Sequence, residues 1–346
     1  MIILACNAGA QAGFGHLMRT RALATALSHL GERCVLLGPG STYSRDSDHA
    51  LFDEWIPIDH WTSDEEEAKR LLSIAGRVGA NSAVLDDYRA NNAYQEILHR
   101  SRFPWLQFDT SIDGPRFPNI LVNPSPGARS DDHQRVMARS DTVFLFGPRF
   151  AVLRPEFSDV VRVPRETPAI RVLLTFGAGD DFGASAFVLR ELVARAAQDL
   201  EFVVVSGEHN PQNFILDEWV RERGGNRVSL LINPPLLSAV YSSADIAIMS
   251  GGTSIYEVAS CGIPMLLLPT VDNQIKQSVA WAESGAALYL GRFGEVSGAQ
   301  LGETLNFLIS NPRLREEMSL AGRQLVDGRG AIRVAKHVVG LGERVG

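Results

Sequence analysis

The feature that most constrains this chain is a rhythm that runs through it twice. Short apolar runs stand at 2–6 (IILAC), 33–37, 82–86, 104–108, 119–122 and 142–146. Their length and unbroken apolarity suit strands buried on both faces. Stretches with helical spacing fall among them at 16–30, 64–77 and 91–101. Strands alternating with helices predict a parallel sheet covered on both sides. The rhythm restarts with strands at 170–176, 201–206, 227–232, 245–249 and 264–268. Helices are expected there at 183–198, 211–222, 235–243 and 253–261, and the tail from 273 reads as nearly all helical. Between the halves, 148–169 holds four prolines and mixed charge, and reads as an interdomain linker. The polar run STYSRDSDHA (41–50) reads as a mobile loop. The prediction is an α/β chain of two doubly wound, Rossmann-like domains, 1–155 and 165–325, with a C-terminal helix at 326–346. In open sheets of this kind ligands sit beyond the C-terminal strand ends, so a site is expected in a cleft between the domains.

The chain has 346 residues, of which 45% are hydrophobic and 21% charged, as in an ordinary globular protein of two domains. A net charge of -7 argues against nucleic acid as the partner. Cys6, Cys34 and Cys261 are odd in number and far apart, which fits a reducing cytoplasm better than a disulfide framework. The N-terminus lacks a basic leader, and no window approaches the ~20 apolar residues of a membrane span. Nothing in the pattern assigns an oligomeric state.

Four stretches carry candidate chemistry. The first, Gly13-Phe14-Gly15-His16, joins the first strand to the first helix. Met18 stands where a dinucleotide fingerprint needs its third glycine. His16 is either a polar residue of a tight turn or a general base. The positive helix N-terminus disfavours imidazolium, and a neutral ring accepts a proton near pH 7. The second stretch is SGGTSIYEVASCGIPMLLLPTVDNQ (250–274). Amides and hydroxyls of Gly251, Gly252, Thr253 and Ser254, at a helix start, suit a diphosphate. Glu257, one turn on, could accept from ribose hydroxyls or be a solvated carboxylate. Asn273 and Gln274 follow the next strand. The third, TFGAGDD (175–181), is another strand–glycine–helix junction around Gly177, where Asp180 could instead cap the helix. The fourth, LDDYRAN (85–91), puts Asp86 at a strand end and Asp87 and Tyr88 beyond it, where they would face the cleft unless Tyr88 is an ordinary half-buried loop residue.

No Walker A loop, HExxH, GxSxG or His/Cys cluster is present. Asp46-Ser47-Asp48 has the DxD form of some metal-dependent glycosyltransferases, but its short polar setting reads as coincidence.

Taken together, these pieces resemble a known family. GFGHLMRTRALATAL, AVLDDYRAN, LQFDTSIDGPRFPNILVNPSPG, FGPRFAVLRPEF, LLTFGAGDD and the GGTS–DNQ string run in order over most of 1–280. They look like the UDP-sugar hydrolases of pseudaminic acid biosynthesis, which have the GT-B fold and remove UDP from a diacetamido-trideoxy-altropyranose. The resemblance implies that His16 activates water and that Tyr88 and Asn273 hold the sugar at the reacting centre. It implies that Gly251 to Ser254 take the diphosphate and Glu257 the ribose, with no metal and no cofactor. Gly13, Gly15, Arg19, Asp87, Gly177 and Gln274 are counted with them as substrate-binding residues.

Two segments depart from the family. The family's first strand ends in an acidic, serine-containing string; here CNAGAQ (6–11) has no carboxylate, leaving Asn7 and Gln11 as polar groups. The family's FDD is Asp109-Thr110 after Phe108 here. Both are expected on the sugar side. The expected function is a cytoplasmic, metal-independent UDP-sugar hydrolase acting with inversion on a small-molecule substrate. The rival readings are a transferase with the same donor site and a non-catalytic nucleotide-sugar binder.

Overall fold

In the computed structural model, residues 1–9, 13–58, 60–109, 113–162, 169–193 and 200–343 are described. They form two units, one of Met1–Pro155 with Arg329–Gly346, the other of Glu156–Gly328.

The first unit contains, in order, β1 (Ile2–Cys6), α1 (Gly15–His29), β2 (Cys34–Gly38), β3 (Glu54–Pro57), α2 (Asp64–Val78), β4 (Ser82–Asp86), α3 (Asn92–Arg100), β5 (Trp105–Phe108), β6 (Ile120–Asn123), α4 (Ser130–Gln134) and β7 (Val143–Phe146). Its sheet runs β3-β2-β1-β4-β5-β6-β7, with every pairing parallel. All five residues of β1, of β2 and of β4 are buried. That explains why these strands read as unbroken apolar runs rather than as alternations. Chain order reverses between β1 and β4, which register Cys6 against Asp86. This is the point where a doubly wound sheet opens a crevice.

The second unit contains β8 (Ile170–Thr175), α5 (Ala184–Val193), β9 (Leu200–Ser206), α6 (Asn213–Trp219), β10 (Val228–Ile232), α7 (Leu237–Ser242), β11 (Ile246–Met249), α8 (Ser254–Ser260), β12 (Met265–Leu267), α9 (Ile275–Glu283), β13 (Ala287–Tyr289), α10 (Gly298–Ser310) and α11 (Pro312–Leu325). Its order is β10-β9-β8-β11-β12-β13, again all parallel, with the reversal between β8 and β11. The last helix, α12 (Gly330–Glu343), belongs to the first unit. Ala331, Val334, Ala335, Val338 and Leu341 form its apolar stripe and share a core with Leu17, Leu23 and Leu27 of α1. No helix among the described residues is long and apolar enough to cross a membrane.

Several expectations change. The tail from 273 is not all helical, because β13 closes the second sheet there. The edge strand β3 was missed: it is short, only half-buried, and ends on Pro57, a residue that an edge can carry. Within 148–169, the expected interdomain linker, residues 163–168 lie outside the described ones. Ala151, Val152, Leu153 and Phe157 are buried, and the unit boundary falls at Pro155–Glu156. The predicted helix 183–198 begins at Ala184, and its last residues lie outside the described ones.

The polar loop 41–50 is not loose. It forms two 3-10 turns, Ser41–Tyr43 and Asp46–Ala50, pinned by a buried ion pair. Arg21 of α1 grips Asp48 with Nε at 2.8 Å and Nη2 at 2.7 Å, and donates to the Tyr43 carbonyl at 2.8 Å. The second acid of the DxD string is thereby taken up in structure. Removing one partner of a buried pair strands the other charge. Asp48→Ala is therefore expected to destabilise the protein by about 3–5 kcal/mol. Urea unfolding checks this; a loss within a few tenths of a kcal/mol would mean that the pair does not hold the loop.

Candidate active site

In the first unit the site grows from two strand ends. Beyond β1 the chain doubles back. Gly9 and Gly13 exchange backbone hydrogen bonds at 3.2 and 2.8 Å, and α1 starts at Gly15. Gly13 sits at φ +75°, a left-handed conformation that costs glycine little. Asn7 and Ala8 precede this pinch; Gln11 lies outside the described residues.

The pinch delivers His16 to the end of β4. Its Nδ1 lies 2.7 Å from Asp86 Oδ1. Arg19, one turn further along α1, holds the same carboxylate with a fork: Nε to Oδ2 at 2.6 Å and Nη2 to Oδ1 at 2.5 Å. Arg19 Nη2 also lies 3.1 Å from His16 Nδ1, but a guanidinium offers no acceptor. The network is satisfied when Nδ1–H donates to Asp86, which leaves Nε2 as the acceptor. Among the described residues Nε2 has no hydrogen-bond partner. Burial alone would raise the Asp86 carboxyl, but the charges of Arg19 and His16 outweigh it and hold it at about 2. Asp86 is thus a carboxylate at any working pH. The neighbouring Cys6 thiol is pushed up by burial to about 12 and is no nucleophile.

In the sequence only the helix N-terminus bears on the charge of His16, and Asp86 reads as part of a strand end. The structure adds the carboxylate and guanidinium, which come from β4 and the second turn of α1. Arg19, counted as substrate-binding, has Nε and Nη2 committed to Asp86, and its guanidinium lies 4.6 Å over the Phe108 ring. Asp87 is also committed: it is buried and paired with Arg89 at 2.7 Å, and Arg89 lies over Trp61. Tyr88 is 64% exposed, with its ring set edge-on to His16 at 4.9 Å. On β5's far end Asp109 is buried, 3.0 Å from Arg116 Nε, while Thr110 lies outside the described residues.

In the second unit the loops after β8 and β11 lie side by side, since Thr175 registers with Met249 and Ser250 Oγ donates to the Phe176 carbonyl at 3.4 Å. Gly177 adopts φ +105°. The helix that follows is capped by Asp181, not Asp180. Asp181 accepts from the Gly183 and Ser185 amides, whereas Asp180 accepts from Phe182.

The GGTS loop is held from below by α9. Gln277, which the sequence reading overlooked, donates to the carbonyls of Gly251 at 2.8 Å and Gly252 at 3.4 Å and accepts from Tyr256 Oη at 3.2 Å. A Cβ at Gly251 would collide with Ser278 Oγ and stand 2.7 Å from the Gln274 carbonyl, so only glycine fits. The carbonyls are thus occupied, while the amides of Gly252, Thr253 and Ser254 carry no hydrogen bond among the described residues. Thr253 is exposed, and Glu257 is half-buried one turn into α8. Gln274 is committed to the loop, its Oε1 accepting from the Thr270 amide at 3.1 Å. Asn273 is exposed beside it, and Asp272 pairs with Arg292 at 3.0 Å. Among the described residues no group of three His, Cys, Asp or Glu side chains is placed to hold a metal ion.

Two parallel Rossmann-like units, each with its candidate groups at the point where strand order reverses, define the GT-B fold. No protein-family model matches the chain. It is 24% identical to the spore coat polysaccharide biosynthesis protein SpsG of Bacillus subtilis (strain 168), over 95% of this chain and 94% of that one. Among solved structures it is similar to the glycotransferase of kitacinnamycin, with a TM-score of 0.71 and 17% identity over 98% of both chains. It is also similar to the UDP-GlcNAc 2-epimerase of Neisseria meningitidis bound to UDP-GlcNAc, with a TM-score of 0.64 and 13% identity over 98% of this chain and 100% of that one.

Proposed function

We propose that this protein is a metal-independent hydrolase of a UDP-linked amino sugar. The sugar would be of the diacetamido-trideoxy kind, released with inversion on the way to a pseudaminic-type acid. The observation that carries the reading is the His16–Asp86 pair at the reversal point of the first sheet, with Nε2 left as an acceptor. An oriented imidazole of this kind is a general base. In the proposed step His16 Nε2 takes a proton from water as the water oxygen attacks the anomeric carbon. The bond from that carbon to the UDP oxygen breaks, and its electron pair leaves with the diphosphate. The open amides of Gly252, Thr253 and Ser254 are assigned to the diphosphate, where they would stabilise the departing charge. Glu257 is assigned to the ribose, and Tyr88 and Asn273 to the sugar.

The relatives support the class of substrate. SpsG is named for polysaccharide biosynthesis, and the epimerase of the same fold is bound to UDP-GlcNAc. The three cysteines are buried free thiols, which goes with a cytoplasmic location. A second reading, a glycosyltransferase in which His16 activates an acceptor hydroxyl, is supported by the likeness to the kitacinnamycin glycotransferase.

A panel of UDP-sugars, incubated without acceptor and in EDTA, tests the proposal through release of free UDP. Rapid release is expected from a diacetamido-trideoxyhexose donor, and little from UDP-GlcNAc. The segments after β1 and β5 differ from the hydrolases this chain resembles, and a site built to pair polar groups rejects sugars that lack them. Release only after an acceptor is added would make the protein a transferase. Loss of activity in EDTA, restored by Mg²⁺, would end the metal-independent reading.

A further inference from the structure

Asp86 does not serve His16 alone. Its Oδ1 accepts from His16 Nδ1 at 2.7 Å and from Arg19 Nη2 at 2.5 Å, while Oδ2 accepts from Arg19 Nε at 2.6 Å. The three side chains are largely buried, with 12% of His16, 14% of Arg19 and 3% of Asp86 exposed. In such a setting an unmatched carboxylate beside an imidazole stabilises the imidazolium strongly. A base that is already protonated cannot take a proton from water. A bidentate guanidinium removes most of that field and still leaves an acceptor for Nδ1–H.

We infer that Arg19 is a positioning residue for the base: its fork fixes the carboxylate that orients His16 and cancels that carboxylate's charge. The inference rests on the general-base reading of His16. The other charged and titratable groups around the pair, among the described residues, are already matched or neutral. Cys6 of β1 is a buried thiol, Asp87 is paired with Arg89, and Asp109 lies beside Arg116. Tyr88 meets the His16 ring edge-on, and Phe108 of β5 lies beneath the guanidinium, giving it a fixed platform. Arg19 is therefore the cation that sets the balance.

The test uses Arg19→Met, which keeps an unbranched stem over Phe108 and removes the charge, and Arg19→Lys, which keeps the charge and loses the fork. The midpoint of the His16 imidazole titration, followed by NMR, is expected to move up by about one pH unit in the Met variant. The acid limb of kcat/KM should move with it. At pH values below both limbs the rate is about tenfold lower than the parent's, and the gap closes as pH rises. In the Lys variant the limb should return toward that of the parent, with a lower plateau, because one ammonium cannot hold both oxygens. The Lys variant also carries the test if the Met variant fails to fold. A uniform loss at every pH, with the imidazole titration unmoved, would overturn the inference and make Arg19 a packing residue. A parental plateau in the Lys variant would overturn the part assigned to the fork. A moved titration that the activity does not follow would uphold the coupling and instead remove His16 as the base.

Discussion

Replacing His16 by Asn is expected to lower kcat by roughly 10²–10⁴ while leaving the Kd for UDP almost unchanged. The size follows from what a positioned general base contributes, and the selectivity from where the groups lie. The imidazole is in the first unit, on α1, whereas the amides assigned to the diphosphate stand at the start of α8 in the second. Asparagine preserves polarity and part of the shape but cannot take the proton. Single-turnover rates and UDP titration by calorimetry separate the two effects. A near-normal kcat would remove His16 from the chemistry. A large loss of UDP affinity would turn it into a binding residue.

Asp86→Asn is expected to cost nearly as much, with kcat down by roughly 10²–10⁴, although residue 86 need not touch substrate. An amide facing Nδ1 no longer enforces the tautomer that leaves Nε2 as the acceptor, and it unmatches the charge of Arg19. The double variant His16→Asn/Asp86→Asn should then be little worse than either single one, because the two act as a unit. Additive losses would show that Asp86 acts apart from His16. The pH dependence has a definite sign. Burial works against the carboxyl, the Arg19 and His16 charges prevail, and it is held at about 2, below its unfolded value near 4. A depressed folded value means that the group's stabilisation is complete above about pH 4 and is lost as pH falls toward 2. Acid unfolding of the Asn variant should therefore be flatter than the parent's in that window. No limb of the activity profile above about pH 4 should belong to Asp86 itself.

Much of this fold was readable in the sequence. β1, β2 and β4 announced themselves because a parallel strand covered on both faces needs apolar residues at every position. β3 and β13 were not readable. EWIP and ALY are short and only partly buried, so they carry neither a continuous run nor a clean alternation. The loop 41–50 looked loose because its polar residues were counted and its anchor was not. Arg21 lies 27 positions from Asp48, and nothing local joins them. At the site, His16 and the GGTS string stood out because glycines and a helix start are local signals. Gln277 did not, because a glutamine in a helix has no signature until the carbonyls above it are known.

The sequence by itself determined the class of element at most positions, the two doubly wound halves and the loops at which the candidate groups stand. Those follow from periodicity and turn chemistry, which act over a few residues. The tertiary structure decided the rest. It registered Cys6 against Asp86, and so brought a carboxylate 70 residues away onto the His16 ring. It set Arg19 against that same carboxylate, and Asp87 against Arg89. It also returned α12 from the far end of the chain to pack on α1. That helix was expected from the sequence, but the surface it buries was not. Apolar burial rewards any complementary face equally, and only the completed sheets leave one open.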